Sequence, residues 1–205
     1  TGVKDPVLVA SCDGVGTKSK VTAKVGHFES LGMDIVNLNI NDIVVCGARP
    51  LFFLDYIGAA RFTREQVELL MRGMSLACRR AGCALIGGET AQMPDIYHGD
   101  DFDLVGFVVG VAERQGLINT SSIAPGDVLL GLPSNGLHTN GYSLVRRVFR
   151  IDEDPSVLER YYPELGHTLG AELSRPHRPY YPLLEPALPL VKGMAHITGG
   201  GLIEN

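Results

Sequence analysis

Thr63-Arg64-Glu65-Gln66 is a capping box, in which a threonine hydroxyl and a glutamine three residues on satisfy each other's free backbone amides. It opens a helix that Gly82 ends, and it sits between two apolar runs, Leu51–Ala60 and Cys83–Gly87, that read as strands. A capped helix between buried strands demands a layer of sheet with helix packed on it. The rest of the first 115 or so residues repeats the pattern. Pro6–Ser11 reads as a strand, Ser30–Gly47 as a helix, and Phe102–Glu113 as a long strand. The fold class expected is therefore α/β with mixed sheets.

Residues 114–127 are polar and contain Pro125-Gly126, so a domain boundary is placed there, with domains at 1–117 and 118–205. The second domain restarts with an expected strand at Asp127–Leu132. The loop PSNGLHTNG, a helix at YSLVRRVF and a strand at Met194–Thr198 follow. The chain stops where a helix should begin, so the second domain is read as incomplete.

Hydrophobic residues make up 45% and charged residues 20%, enough for a real core. A net charge of -5 without a basic run argues against a nucleic-acid partner. No apolar run approaches the roughly 20 residues that cross a bilayer. Cys12, Cys46, Cys78 and Cys83 form no C-x-x-C pair and read as reduced thiols of a cytoplasmic protein.

Ser11–Lys20, SCDGVGTKSK, resembles a phosphate loop and fails its pattern, because Thr17 stands where a P-loop has the glycine before lysine. Asp13 heads the turn instead. Asp34 and Asn41 share a helical face, with Asp42 one step round. Two readings fit these acids. Asp34 and Asp42 cap helices or pair with Lys18 or Arg49, or the carboxylates Asp13, Asp42 and Glu89, with Asp34, gather round Mg²⁺. In the second reading Asp13 holds the metal, the metal holds phosphates, and Lys18 adds a charge beside them. Asn140 is expected to cap the helix after it, whose N-terminus attracts an anion. His138 is either a surface histidine or a phosphate donor, acid or base. Thr198-Gly199-Gly200-Gly201 is a second possible anion cradle. His27, His98, His167, His177 and His196 have no spacing that raises them above structural roles.

Taken together, DGVGTK, NDIVVCGARPLFFLDY, GCALIGGETAQMP, FDLVGF, SNGLHTNGYSLVR and AHITGGGLIEN resemble aminoimidazole ribonucleotide synthetase, also called phosphoribosylformylglycinamidine cyclo-ligase. They stand in the family's order across nearly the whole chain. The resemblance implies two α/β domains and a homodimer whose first domains close a β-barrel. It implies ring closure of formylglycinamidine ribonucleotide with ATP and Mg²⁺, through a phosphorylated amide oxygen. His138 and Lys18 would serve catalysis. The cofactor would meet Asp13, Gly14, Gly16, Thr17, Lys18, Asn41, Asp42, Gly88, Glu89 and Thr90. The ribonucleotide phosphate would meet Asn135, His138, Thr139, Asn140 and Thr198 to Gly201.

The chain departs from the family at Pro176-His177-Arg178-Pro179-Tyr180, where Pro-Thr-x-x-Tyr is usual, and at Gln92, where an acid is usual. A sibling ATP-using enzyme, such as thiamin-phosphate kinase, or an inactive nucleotide-binding paralogue is the alternative.

Overall fold

The computed structural model describes residues 2–204. Its centre is a four-stranded sheet in the order β1-β4-β2-β3. The strands are β1 (Pro6–Gly14), β2 (Arg49–Ala59), β3 (Ala84–Gln92) and β4 (Phe102–Glu113). β4 runs antiparallel to both β1 and β2, while β2 and β3 are parallel and joined through a helix, as a parallel pair requires.

Four helices belong to this half or adjoin it. They are α1 (Lys18–Val25), α2 (Phe28–Val44), α3 (Arg64–Arg80) and, beyond the sheet, α4 (Tyr142–Phe149). The expected capping box is present at the start of α3, with Gln66 N–H donating to Thr63 Oγ1 and Thr63 N–H to Gln66 Oε1. Leu31, Ile35, Ile43, Leu70 and Met74 pack with Phe53, Ile57, Leu104 and Val108 into the main core. The sheet is open in the single chain, with β1 and β3 at its edges.

A second, smaller core joins Tyr142, Ile151, Leu158, Leu169 and Leu173 to Val21 of α1. It includes the hairpin β5 (Tyr161–Tyr162) with β6 (His167–Thr168) and the short helix α5 (Leu169–Leu173). Helices α6 (Tyr181–Leu184) and α7 (Gly201–Glu204) complete the described chain. α1 thus belongs to the first domain by sequence and to the second core by packing.

Three expectations are corrected. Residues 127–132 form no strand, and Leu129 is 97% exposed, because no strand among the described residues lies alongside to pair with it. Residues 194–198 likewise form no strand. The buried strand expected at Cys83–Gly87 instead runs over Ala84–Gln92 as an exposed edge strand, so that GGET lies inside β3.

Candidate functional site

α2 is an apolar helix with a polar ladder built into it. Asp34, Asn37, Asn39 and Asn41 are all buried. Buried amides must find partners, and these find them in two directions. Asn37 Nδ2 donates to His177 O (2.7 Å) and Asn41 Nδ2 to Arg178 O (2.9 Å). Asn41 Oδ1 accepts from Tyr180 N–H (3.1 Å), and Asp34 Oδ1 from His177 N–H (2.6 Å). One face of α2 therefore straps down residues 177–180. On the other face Asn39 clamps β1, accepting from Asp13 N–H and donating to Asp13 O. Asp42 Oδ2 accepts from Ser11 Oγ, and its Oδ1 pairs with His196 Nδ1 at 2.7 Å.

Lys18 and Asp34 form an ion pair of 2.7 Å with both side chains at 0% exposure. Lys18 Nζ also donates to His138 O (2.9 Å) and Arg175 O (2.8 Å). Fully buried and held by one carboxylate and two carbonyls, Lys18 does not reach a phosphate, and Asp34 is turned away from any metal. Asn41 is likewise committed to the backbone of 178–180. The pairing of Asp34 with Lys18, one of the two readings of this acid, is what the fold adopts. Burial pushes the Asp34 carboxyl up to about 6 against the pull of Lys18 and the His177 N–H, and pushes the Lys18 ammonium down.

The strapped segment in turn holds the loop 135–140. Asn135 Nδ2 donates to Pro176 O (2.8 Å), which leaves its Oδ1 facing His138 Nε2 at 2.8 Å. Nε2 must then carry the proton, because Oδ1 can only accept. The Asn135 N–H also points at this nitrogen, but at 3.4 Å it is the longer and weaker of the two contacts. Neutral His138 is thus the Nε2–H tautomer, with a lone pair on Nδ1. Its backbone is in the left-handed region, with φ of 58°. That conformation costs a non-glycine residue about 1 kcal/mol and persists only where neighbours over-determine it. The His138 and His177 rings stack at 4.0 Å and 21°, and His196 lies 5.4 Å from His177. Thr139 Oγ1 is 3.4 Å from His177 Nδ1.

Burial lowers His138 to about 4, helped by the charges of His196, Lys18 and Arg178. Burial lowers His177 to about 2, helped by His138, His196 and Lys18. Both values lie below that of an unfolded histidine, near 6.5. The folded state therefore binds fewer protons, and stability present above pH ~6.5 is lost as pH falls toward the folded values. Urea midpoints are expected to drop below pH ~6.5, by up to ~1.4 kcal/mol per pH unit for each histidine. A flat profile from pH 7 to 5 in denaturant titrations would show that neither ring is held neutral.

At the opening turn, Gly16 takes a φ of 56°, which glycine adopts without strain. Thr17 Oγ1 lies 3.1 Å from Ser143 Oγ, so the N-termini of α1 and α4 meet. No described residue accepts a hydrogen bond from the N–H groups of Gly16, Thr17, Tyr142 or Ser143. Asn140 does not cap α4. Gly141, with φ of 80°, holds that position without a side-chain cap.

The four expected metal acids do not converge. Asp13 lies on β1, where its Oδ1 accepts from Gly14 N–H, whereas Gly88, Glu89 and Thr90 pair with Asp55, Tyr56 and Ile57 on the far edge of the sheet. Three strand spacings separate those edges, roughly 14 Å. Among the described residues no three His, Cys, Asp or Glu side chains are grouped to hold a metal ion. Thr198 to Gly201 follow His196, with a turn in which Gly201 N–H donates to Thr198 O. His177, His196, Asn37 and Asn39 are the site residues that sequence reasoning missed. Only the alternating asparagines of NLNIN, polar on an apolar helix, could have flagged any of them.

Residues 3–112 match the family model of the AIR synthase related protein N-terminal domain, and 124–205 that of its C-terminal domain. The chain is 48% identical over 209 residues to phosphoribosylformylglycinamidine cyclo-ligase of Caldicellulosiruptor bescii, covering 100% of this chain and 60% of that protein. It is 50% identical over 206 residues to the protein of that name from Desulfitobacterium hafniense, covering 98% and 59%. The chain therefore spans about 60% of the length of the curated relatives it matches. Among solved structures, thiamine-monophosphate kinase of Stenotrophomonas maltophilia superposes with a TM-score of 0.59 at 18% identity, covering 90% of this chain and 54% of that one. The kinase of Aquifex aeolicus gives 0.56 at 20%, covering 88% and 56%. These likenesses establish a shared fold. No helix among the described residues is long and apolar enough to cross a membrane.

Proposed function

The chain belongs to the AIR synthase related family, and on that premise we propose that it closes the imidazole ring of formylglycinamidine ribonucleotide with ATP. The products of that reaction are aminoimidazole ribonucleotide, ADP and phosphate, and the reading is supported by relatives named phosphoribosylformylglycinamidine cyclo-ligase. The observation that carries this reading is the meeting of two open helix N-termini at Thr17 and Ser143, beside the His138 loop. Unpaired N–H groups at paired helix ends suit phosphate oxygens, and the reaction places phosphate on both co-substrate and substrate.

In this reading the amides of Gly16 and Thr17, with Gly14 behind them, hold the nucleotide phosphates. Asn135, His138 and Thr139, with Thr198 to Gly201, face the ribonucleotide. ATP supplies the phosphoryl group that converts the amide oxygen into a leaving group. A nitrogen of the same molecule then attacks that carbon, and phosphate departs. The protein's share is orientation and charge placement, worth several orders of magnitude in rate without a protein nucleophile. His138, neutral with a free Nδ1, accepts a proton or hydrogen bond and does not donate charge to a phosphate. The residues present in one chain do not fit a Mg²⁺ site, and no step is routed through a metal. Asp13 and Glu89 could share an ion only if two chains were apposed.

A homodimer is part of the same proposal. β1 and β3 are open edges, and Leu8, Ile86 and Phe107 are exposed on their strands and on β4. Unpaired strand edges with apolar side chains are surfaces that proteins cover. A cytoplasmic location is part of the same proposal. The sibling kinases share the fold at 18–20% identity, far below the identity to the cyclo-ligases.

The test is phosphate release from Mg²⁺-ATP by the full-length protein, with and without formylglycinamidine ribonucleotide. Release that requires the substrate, matched by aminoimidazole product, is expected. Nucleotide binding without substrate-dependent release would move the activity to a sibling reaction.

A further inference from the structure

His177 is 1% exposed, and among the described residues its Nε2 has no hydrogen-bond partner. An unsatisfied buried nitrogen costs about 1–3 kcal/mol, which an apolar residue of similar size would avoid. Its backbone is held by Asp34 and Asn37 of α2, and its Nδ1 lies against Thr139, the neighbour of His138. Every contact thus fixes the plane of its ring relative to the 138–139 turn. His138 needs such support, because it sits in a left-handed conformation with one ring face against His177.

We propose that His177 is a positioning residue, whose buried ring is the plate that holds His138 against Asn135 Oδ1, so that the Nε2–H tautomer persists and Nδ1 stays available as an acceptor. The use of that acceptor rests on the function proposed above, and the plate itself rests on the geometry alone. The groups facing the pair are Lys18, already neutralised by Asp34, and His196, paired with Asp42. Arg178 and Tyr180 lie on the same segment as His177, with Tyr180 6.0 Å from His138, and Asn135 closes the remaining ring edge. Among the described residues no carboxylate touches either imidazole ring, so protonating one would bury an unpaired cation beside Lys18. A neutral plate therefore disfavours the charged form of both rings.

Two substitutions separate the plate from its polar atoms. His177→Asn removes the stacking surface and keeps a polar group near Thr139. His177→Phe keeps the stacking surface and removes Nδ1. Nitrogen-15 spectra of the imidazoles in the full-length protein report tautomer and titration of His138 directly, whether or not the reaction occurs. In the parent protein His138 is expected to stay the Nε2–H tautomer from pH 8 to about 5. In the asparagine variant its midpoint should rise by about one unit or more toward the free value, with mixed tautomers. In the phenylalanine variant it should not move. With substrate, His177→Asn should lower kcat about tenfold or more with KM for ATP unchanged, as a misplaced group does, and His177→Phe should rescue most of the loss. An unchanged His138 titration in the asparagine variant overturns the proposal. So does a phenylalanine variant as impaired as the asparagine one. Expected spectra with no aminoimidazole product from the parent protein would uphold the plate and remove the reaction.

Discussion

Replacing Lys18 with methionine is expected to destabilise the fold by about 3–5 kcal/mol, the range for leaving one member of a buried ion pair alone. The residue looks like a phosphate-loop lysine in sequence, and as such its loss would weaken nucleotide binding and leave stability nearly untouched. Its surroundings dictate otherwise. The side chain is fully buried, pairs with Asp34, and donates to two carbonyls from loops of the second core. Removing it strands a buried carboxylate and two part-buried carbonyl acceptors at the junction between the two cores. Combining Lys18→Met with Asp34→Asn removes the stranded charge while an amide oxygen still accepts from His177 N–H. That double variant should regain about half of the loss, since the His138 and Arg175 carbonyls remain unpaired at about 1 kcal/mol or more each. Urea denaturation of the parent, both single variants and the double variant measures this coupling. A Lys18→Met protein with the parent's midpoint and weakened ATP affinity would return Lys18 to the phosphates.

Local pattern made some of this fold readable and left the rest dark for physical reasons. β4 runs over Phe102–Glu113 and α4 over Tyr142–Phe149, as periodicity and length suggested. Thr63 and Gln66 announced α3 because a capping box is closed within four residues. Asp127–Leu132 carries the composition of a strand, yet composition cannot say whether a neighbour exists to pair with it. The same limit applied to the acids. Asp13 and Glu89 both sit beside glycines after apolar runs, and only the sheet order reveals that they lie on opposite edges. His177 and His196, unlike His138, were missed for the converse reason. His138, His177 and His196 meet because α2 straps two distant loops onto one face, and no spacing along the chain records that. The asparagines that do the strapping were visible, but a polar residue on an apolar helix does not name its partner.

The placement of α2 itself depends on two glycines that no motif marked. Gly32 of α2 and Gly73 of α3 face each other's helices. A Cβ on Gly73 would fall inside the van der Waals radius of the Glu29 carbonyl oxygen, and one on Gly32 would do the same to Leu70. Helices that approach this closely do so only because both positions lack a side chain. Two effects compete in Gly73→Ala. Intrinsic propensity favours alanine inside a helix by about 1 kcal/mol. Overpacking a buried contact costs about 1–3 kcal/mol, and more when the obstacle is backbone rather than a side chain that can turn away. The obstacle here is the Glu29 carbonyl, and the added Cβ would also lie only 3.0 Å from Met33 N, so neither helix can yield locally and the whole of α2 must shift. A net loss of about 3 kcal/mol is expected, read from urea midpoints. The shift would also carry Asn37, Asn41 and Asp34 away from residues 177–180, loosening the plate behind His138. The imidazole spectrum of His138 should therefore move with the stability, although Gly73 touches nothing in the site. A Gly73→Ala protein more stable than its parent would mean that propensity wins, and that α2 and α3 stand farther apart than the close glycine contact requires.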